Sequence, residues 1–131
     1  MKTIIQRLMP FLLLTIIVNL TGCEKESKET IVKVTVTNFL GLPQPNFTVY
    51  QMDDLKWNAY GANTFFRDQQ SVTDENGNAT FKIDNFEFVT EKQLTYYFFC
   101  NYTVGGGDPR TKHIGTTLSK GDSRMLTLEL D

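Results

Sequence analysis

"SVTDENGNATFKI", residues 71–83, is the stretch that decides the fold class. Asn76-Gly77 is the dipeptide preferred in tight hairpin turns, because both residues tolerate positive φ. Val72 precedes it, and Ala79, Phe81 and Ile83 follow with period two. The stretch therefore predicts two short strands joined by a tight turn. The same letters superficially fit a calcium loop, with Asp74, Asn76 and Asn78 in register. An EF-hand then needs a glycine where Ala79 stands and a glutamate where Asn85 stands, so the turn is the better reading.

Working outward, period two recurs on both sides. "IVKVTVT" (31–37) sets Val32, Val34 and Val36 against Lys33, Thr35 and Thr37, as in a half-buried strand. "NFLGLPQPN" (38–46) breaks any strand or helix at Gly41, Pro43 and Pro45 and reads as a connector. "FTVYQMD" (47–53) is a second strand with Phe47 and Val49 inward. "LKWNAYGANTFF" (55–66) lacks clean alternation and is expected to be an inserted loop or a ragged strand. "LTYYFFCNYTV" (94–104) is apolar or aromatic at Leu94, Tyr96, Phe98, Cys100 and Tyr102 on one face and at Tyr97 and Phe99 on the other. It reads as a central strand covered on both sides. "GGGDPR" (105–110) is a loop, and "KHIGTTL" (112–118) and "RMLTLEL" (124–130) flank a turn at Gly121. Leu126, Leu128 and Leu130 share one face. With about seven strands and no amphipathic helix, the chain is expected to be all-β, a single antiparallel β-sandwich.

The N-terminus has a different character. Lys2 and Arg7 precede an apolar run, "LMPFLLLTIIVNL", that is broken by Pro10, Thr15 and Asn19 and ends near Gly22. That describes a secretory signal, because a membrane span needs about 20 apolar residues. "LTGC" (20–23) resembles the lipobox of bacterial lipoproteins, which implies lipidation of Cys23 and removal of residues 1–22. Two or more acyl chains anchor stably where one is marginal. The expected organisation is therefore a signal peptide (1–22), a lipidated polar tether (23–30) and a β-sandwich (31–131). In the tether "EKESKET" (24–30), Glu24, Glu26 and Glu29 loosely resemble a signal for display on the outer face of the outer membrane. The periplasmic face is the alternative. With Lys2 and Arg7 gone, eleven Lys and Arg stand against fifteen Asp and Glu, a net −4, which argues against a nucleic-acid partner. Cys100 is then the one cysteine left in the domain, so no internal disulfide is expected.

"VKVTVT", the "N-x-x-G-x-P" connector, "FTVYQ" and "VTDENGNATF" together resemble the transthyretin-like, carboxypeptidase-regulatory-like group of Ig-type sandwiches over residues 31–83. The resemblance implies an accessory module on a bacterial surface protein or enzyme. The hydroxyisourate hydrolase branch of that group uses several histidines and a Tyr-Arg-Gly-Ser-like C-terminus, whereas this chain has one histidine and ends "LTLELD". Pilin-type modules join a first-strand lysine to a last-strand asparagine. Lys33 is in place, but "RMLTLELD" offers no asparagine.

Few residues remain as sites. His113 alone builds no zinc cluster, and Cys100 at strand spacing reads as a buried hydrophobe rather than a nucleophile beside His113. Trp57, Tyr60, Phe65 and Phe66, near Asn58, Asn63 and Arg67, form either a sugar- or protein-binding platform or a cap on one open end of the sandwich. The expectation is a lipid-anchored, non-enzymatic, protein-binding, adhesion or assembly module with no cofactor and no metal. The alternative is a carbohydrate-binding module using the aromatics around Trp57, with a glycan as partner.

Overall fold

Valine at every second position makes β1 (Thr30–Thr37) a strand, because β-branched side chains pack well on a pleated surface. Val32, Val34 and Val36 are fully buried, as their period demanded. In the computed structural model, which describes residues 28–131, this strand is the centre of a three-stranded sheet. Its neighbours are β4 (Asn78–Ile83) and β7 (Ser123–Glu129), in the order β4-β1-β7. The second sheet has the order β3-β2-β5-β6, from β2 (Thr48–Asp53), β3 (Gln69–Val72), β5 (Gln93–Val104) and β6 (Asp108–Ser119). Seven strands in two packed sheets form the expected all-β sandwich. The expected signal peptide (1–22), Cys23 and most of the expected tether lie outside the described residues, and β1 opens at Thr30, inside the range expected for the tether.

The core lies between the sheets. Val32, Val34, Val36, Ala79, Phe81, Ile83, Leu128 and Leu130 face Val49, Tyr96, Phe98, Cys100, Tyr102 and Leu118. Phe81 meets Phe98 edge-to-face at 5.0 Å and 61°, the arrangement that ring quadrupoles favour. Each fully buried large side chain contributes about 1.5–3 kcal/mol through removal from water.

One strand pair is parallel. β7 runs alongside β1 from Ile31↔Ser123 to Thr37↔Glu129, while every other pairing is antiparallel. The reason is that β6 and β7 belong to different sheets, so the turn at Ser119–Asp122 carries the chain across the sandwich rather than back along one sheet. β7 thus starts at the same end as β1, with Ile31 N–H donating to the Asp122 carbonyl at 2.9 Å.

The turn at 74–77 also crosses between sheets, and here the hairpin expectation is corrected. β3 pairs with β2, and β4 pairs with β1, so the strands flanking Asn76-Gly77 are not partners. Gly77 alone takes positive φ, at +75°. Gly77 N–H donates to the Asp74 carbonyl at 2.9 Å, and the Asp74 carboxylate accepts from Asn76 and Asn78 N–H. Asp74 and Gly77 supply the turn chemistry, and Asn76 stays at ordinary φ.

Residues 55–66 are corrected as well. They are neither loop nor ragged strand but a short helix, α1 (Asp54–Tyr60), followed by one 3-10 turn (Thr64–Phe66). Asp53 caps the helix by accepting from Lys56 N–H at 2.8 Å, and Gly61, at φ +61°, ends it.

Candidate functional site

The four expected aromatics divide into two groups. α1 lies against the outer face of the four-stranded sheet, where Tyr50, Met52, Tyr97, Phe99 and His113 point away from the core. Trp57 stacks on Tyr97 at 4.8 Å and 6°, and its indole also meets Phe99 at 5.6 Å and His113 at 4.9 Å. Met52 and Phe99 are fully buried beneath this cover. Below Tyr97 sits Gly115 of β6, its register partner, where an added Cβ would come within 2.8 Å of the ring. The layers run glycine, tyrosine, tryptophan, so the Trp57 face that meets Tyr97 is already occupied.

Tyr60 and Phe66 stack on each other at 3.7 Å and 7°, and Phe65 meets Phe66 edge-on at 5.1 Å. Phe65 is 79% exposed. This second group lies along the segment leading from α1 to β3. Trp57 therefore covers a sheet face rather than an open end of the sandwich.

Cys100 and His113 do not meet. Phe99 is the register partner of His113, which puts Cys100 on the inner face and the imidazole on the outer one. Burial pushes the Cys100 thiol up to about 11. Burial also pushes Tyr96 up to about 12, assisted by the charges of Glu87, Asp68 and Asp53. In both cases the neutral form is favoured in the folded state, so stability is intact below the unfolded values of 9.0 and 10.0 and is lost as pH rises through the folded ones. Each two-unit shift corresponds to about 2–3 kcal/mol. The urea midpoint is expected to hold to pH 8 and to fall steeply between pH 9 and 12. Tyr96→Phe removes the upper part of that fall, and a flat profile to pH 11.5 contradicts it.

Spacing alone marks residues 38–46 only as a connector between β1 and β2. Asn38 organises it: its side-chain oxygen accepts from Leu40 and Leu42 N–H at 2.9 and 3.0 Å, and its own N–H donates to the Leu42 carbonyl at 3.0 Å. Gln44 N–H donates to the Val36 carbonyl at 2.9 Å, and the Gln44 carbonyl accepts from buried Thr73 at 2.7 Å. On this pinned loop Phe39, Leu40 and Leu42 are 67%, 68% and 55% exposed. The signal was present in the letters, since a Gly/Pro connector is normally polar and this one carries three large apolar residues. The loop follows the C-terminal end of β1, about 25 Å along the strand from Thr30, at 3.3 Å per residue.

No protein-family model matches the chain, and no curated protein does. Among solved structures, it is similar to 3-chlorocatechol 1,2-dioxygenase from Rhodococcus opacus 1CP, with a TM-score of 0.41 and 12% identity. The match covers 82% of this chain and 62% of that one, so the chain spans less than two thirds of that protein's length. The expectation that the chain is not an enzyme is withdrawn, since the protein found in that comparison is a dioxygenase. A likeness this distant supplies no argument for a particular activity. Among the described residues, no group of three or more His, Cys, Asp or Glu is placed to hold a metal ion.

Proposed function

We propose that the chain is a bacterial envelope lipoprotein, anchored through Cys23, whose transthyretin-like sandwich binds a protein partner through the 38–46 loop. The observation that carries this is the loop itself: three large apolar side chains held exposed by backbone and Asn38 hydrogen bonds, at the end of β1 farthest from the tether. Exposed apolar clusters on rigid supports favour protein contact, because little side-chain and loop entropy is lost on docking. "LTGC" supports the anchor, and the glutamates of the tether support display at the outer membrane. Trp57, packed on Tyr97, supports the outer face of the sheet, so the carbohydrate reading gains no free platform there.

Site-directed photocrosslinking in intact cells tests the docking surface. A crosslinker at Leu40 is expected to give a discrete adduct band, abolished by Phe39→Ser and Leu42→Ser. The same group at Met125, which is also exposed but lies on β7, is expected to give none. Equal products from both positions, or none from Leu40, overturns the assignment. Protease shaving of the same cells, with Cys23→Ala as the unanchored control, reports the face of the membrane.

A further inference from the structure

Between β2 and β3 of one sheet and β4 of the other, the sandwich opens into a cleft of about 390 Å³. Gln51 and Tyr96 line it from the core side, 2% and 5% exposed. Gln51 sits at an inward position of β2, and its Oε1 has no hydrogen-bond partner. A buried acceptor left unpaired carries its full desolvation cost, which a ligand donor would recover. Asp53, Asp68, Asp84 and Glu87 line the walls. Lys56 pairs with Asp53 and Asp68, and Lys82 turns to Glu29 at 3.5 Å. Among the described residues, Asp84 and Glu87 make no ion pair, so the cleft keeps excess negative charge beside an unpaired acceptor.

We propose that this cleft binds an organic cation bearing N–H donors, an ammonium or guanidinium group that Gln51 Oε1 and Glu87 receive together. A cation without N–H satisfies the carboxylates but leaves the Gln51 oxygen unpaired, so N–H donation is the discriminating chemistry. The carboxylates are spread around the walls rather than clustered for a metal ion, which suits an extended organic cation. Tyr96, whose pKa burial pushes up to about 12, remains available as a neutral hydroxyl donor or acceptor in the same space. The group arrives on a free polyamine or on a basic side chain of a protein. This site is separate from the 38–46 loop, and its test is independent of that surface.

The test is nuclear magnetic resonance on the full chain in nonionic detergent, titrated at constant ionic strength with spermidine, N-acetyl-arginine methylamide and tetramethylammonium. Saturable shifts of the Gln51 side-chain amide and of residues 84–88 are expected with one or both N–H cations and not with tetramethylammonium. Response to spermidine alone identifies a free polyamine, and response to the arginine amide alone identifies a partner's side chain. Exposed Glu87→Gln leaves the fold intact and is expected to weaken binding by roughly tenfold or more, the worth of a charge-assisted hydrogen bond. Gln51→Leu is expected to abolish the difference between N–H cations and tetramethylammonium. Equal drift with all three cations, or an unchanged affinity in Glu87→Gln, overturns the proposal.

Discussion

Replacing Gly77 by alanine is expected to destabilise the domain by roughly 3 kcal/mol or more. Two costs coincide at this position. The backbone sits at φ +75°, where an L side chain costs about 1–2 kcal/mol. A Cβ there would also come within 2.7 Å of the Val36 carbonyl oxygen and 3.0 Å of the Gln44 nitrogen. Neither backbone atom can step aside, because the Val36 carbonyl accepts from Gln44 N–H and Val36 N–H donates to the Gly77 carbonyl at 2.8 Å. Gly106→Ala is the matched control: its φ is +86°, but nothing lies within 4 Å of the added carbon. That variant should lose only the conformational cost, about 1–2 kcal/mol. Urea unfolding of both chains separates strain from collision, and equal losses refute the close approach.

Phe98→Ala is expected to cost about 3–5 kcal/mol, the usual range for a buried phenylalanine. Phe98 is fully buried in the long strand β5 and packs edge-on against Phe81, which reaches it from the opposite sheet. Truncation leaves a cavity between the layers, where β1 and β2 are held by ladders to their neighbours and cannot collapse into it. Against a typical total of 5–15 kcal/mol, that loss is a large part of the stability. Phe86, of similar size but 78% exposed, marks the other extreme, and Phe86→Ala should change the urea midpoint hardly at all.

The strands were legible because their side chains are sorted by face. The valines of β1, the Ala79, Phe81 and Ile83 set and the three leucines near the C-terminus all lie at the faces their spacing assigned. Pairing was less legible. Asp74 and Gly77 build the same turn whether the next strand returns beside the last one or crosses to the other sheet, so local chemistry carries no information about the partner. β3, with the sequence QQSV, is too short and polar to announce its neighbour. α1 was hidden by its length. Seven residues offer too few turns for a periodic signal, although its Asp53 cap and Gly61 stop are both written in the chain. The cleft was hidden for another reason. Gln51 occupies an inward position of β2, and a polar residue in a core register is the sign of a satisfied network or a site, which only its neighbours can distinguish.

The position of β1 has a mechanical consequence. Chain enters this strand at Thr30 and leaves it at Thr37 for the exposed loop, so a pull between the residues preceding Thr30 and the loop tip runs along the strand axis. β1 is laced on both sides, antiparallel to β4 and parallel to β7, over nearly its whole length. Lengthwise load therefore shears both ladders at once instead of opening one bond after another from an end. The element that links the two ends of the molecule is thus the one best placed to carry tension between them.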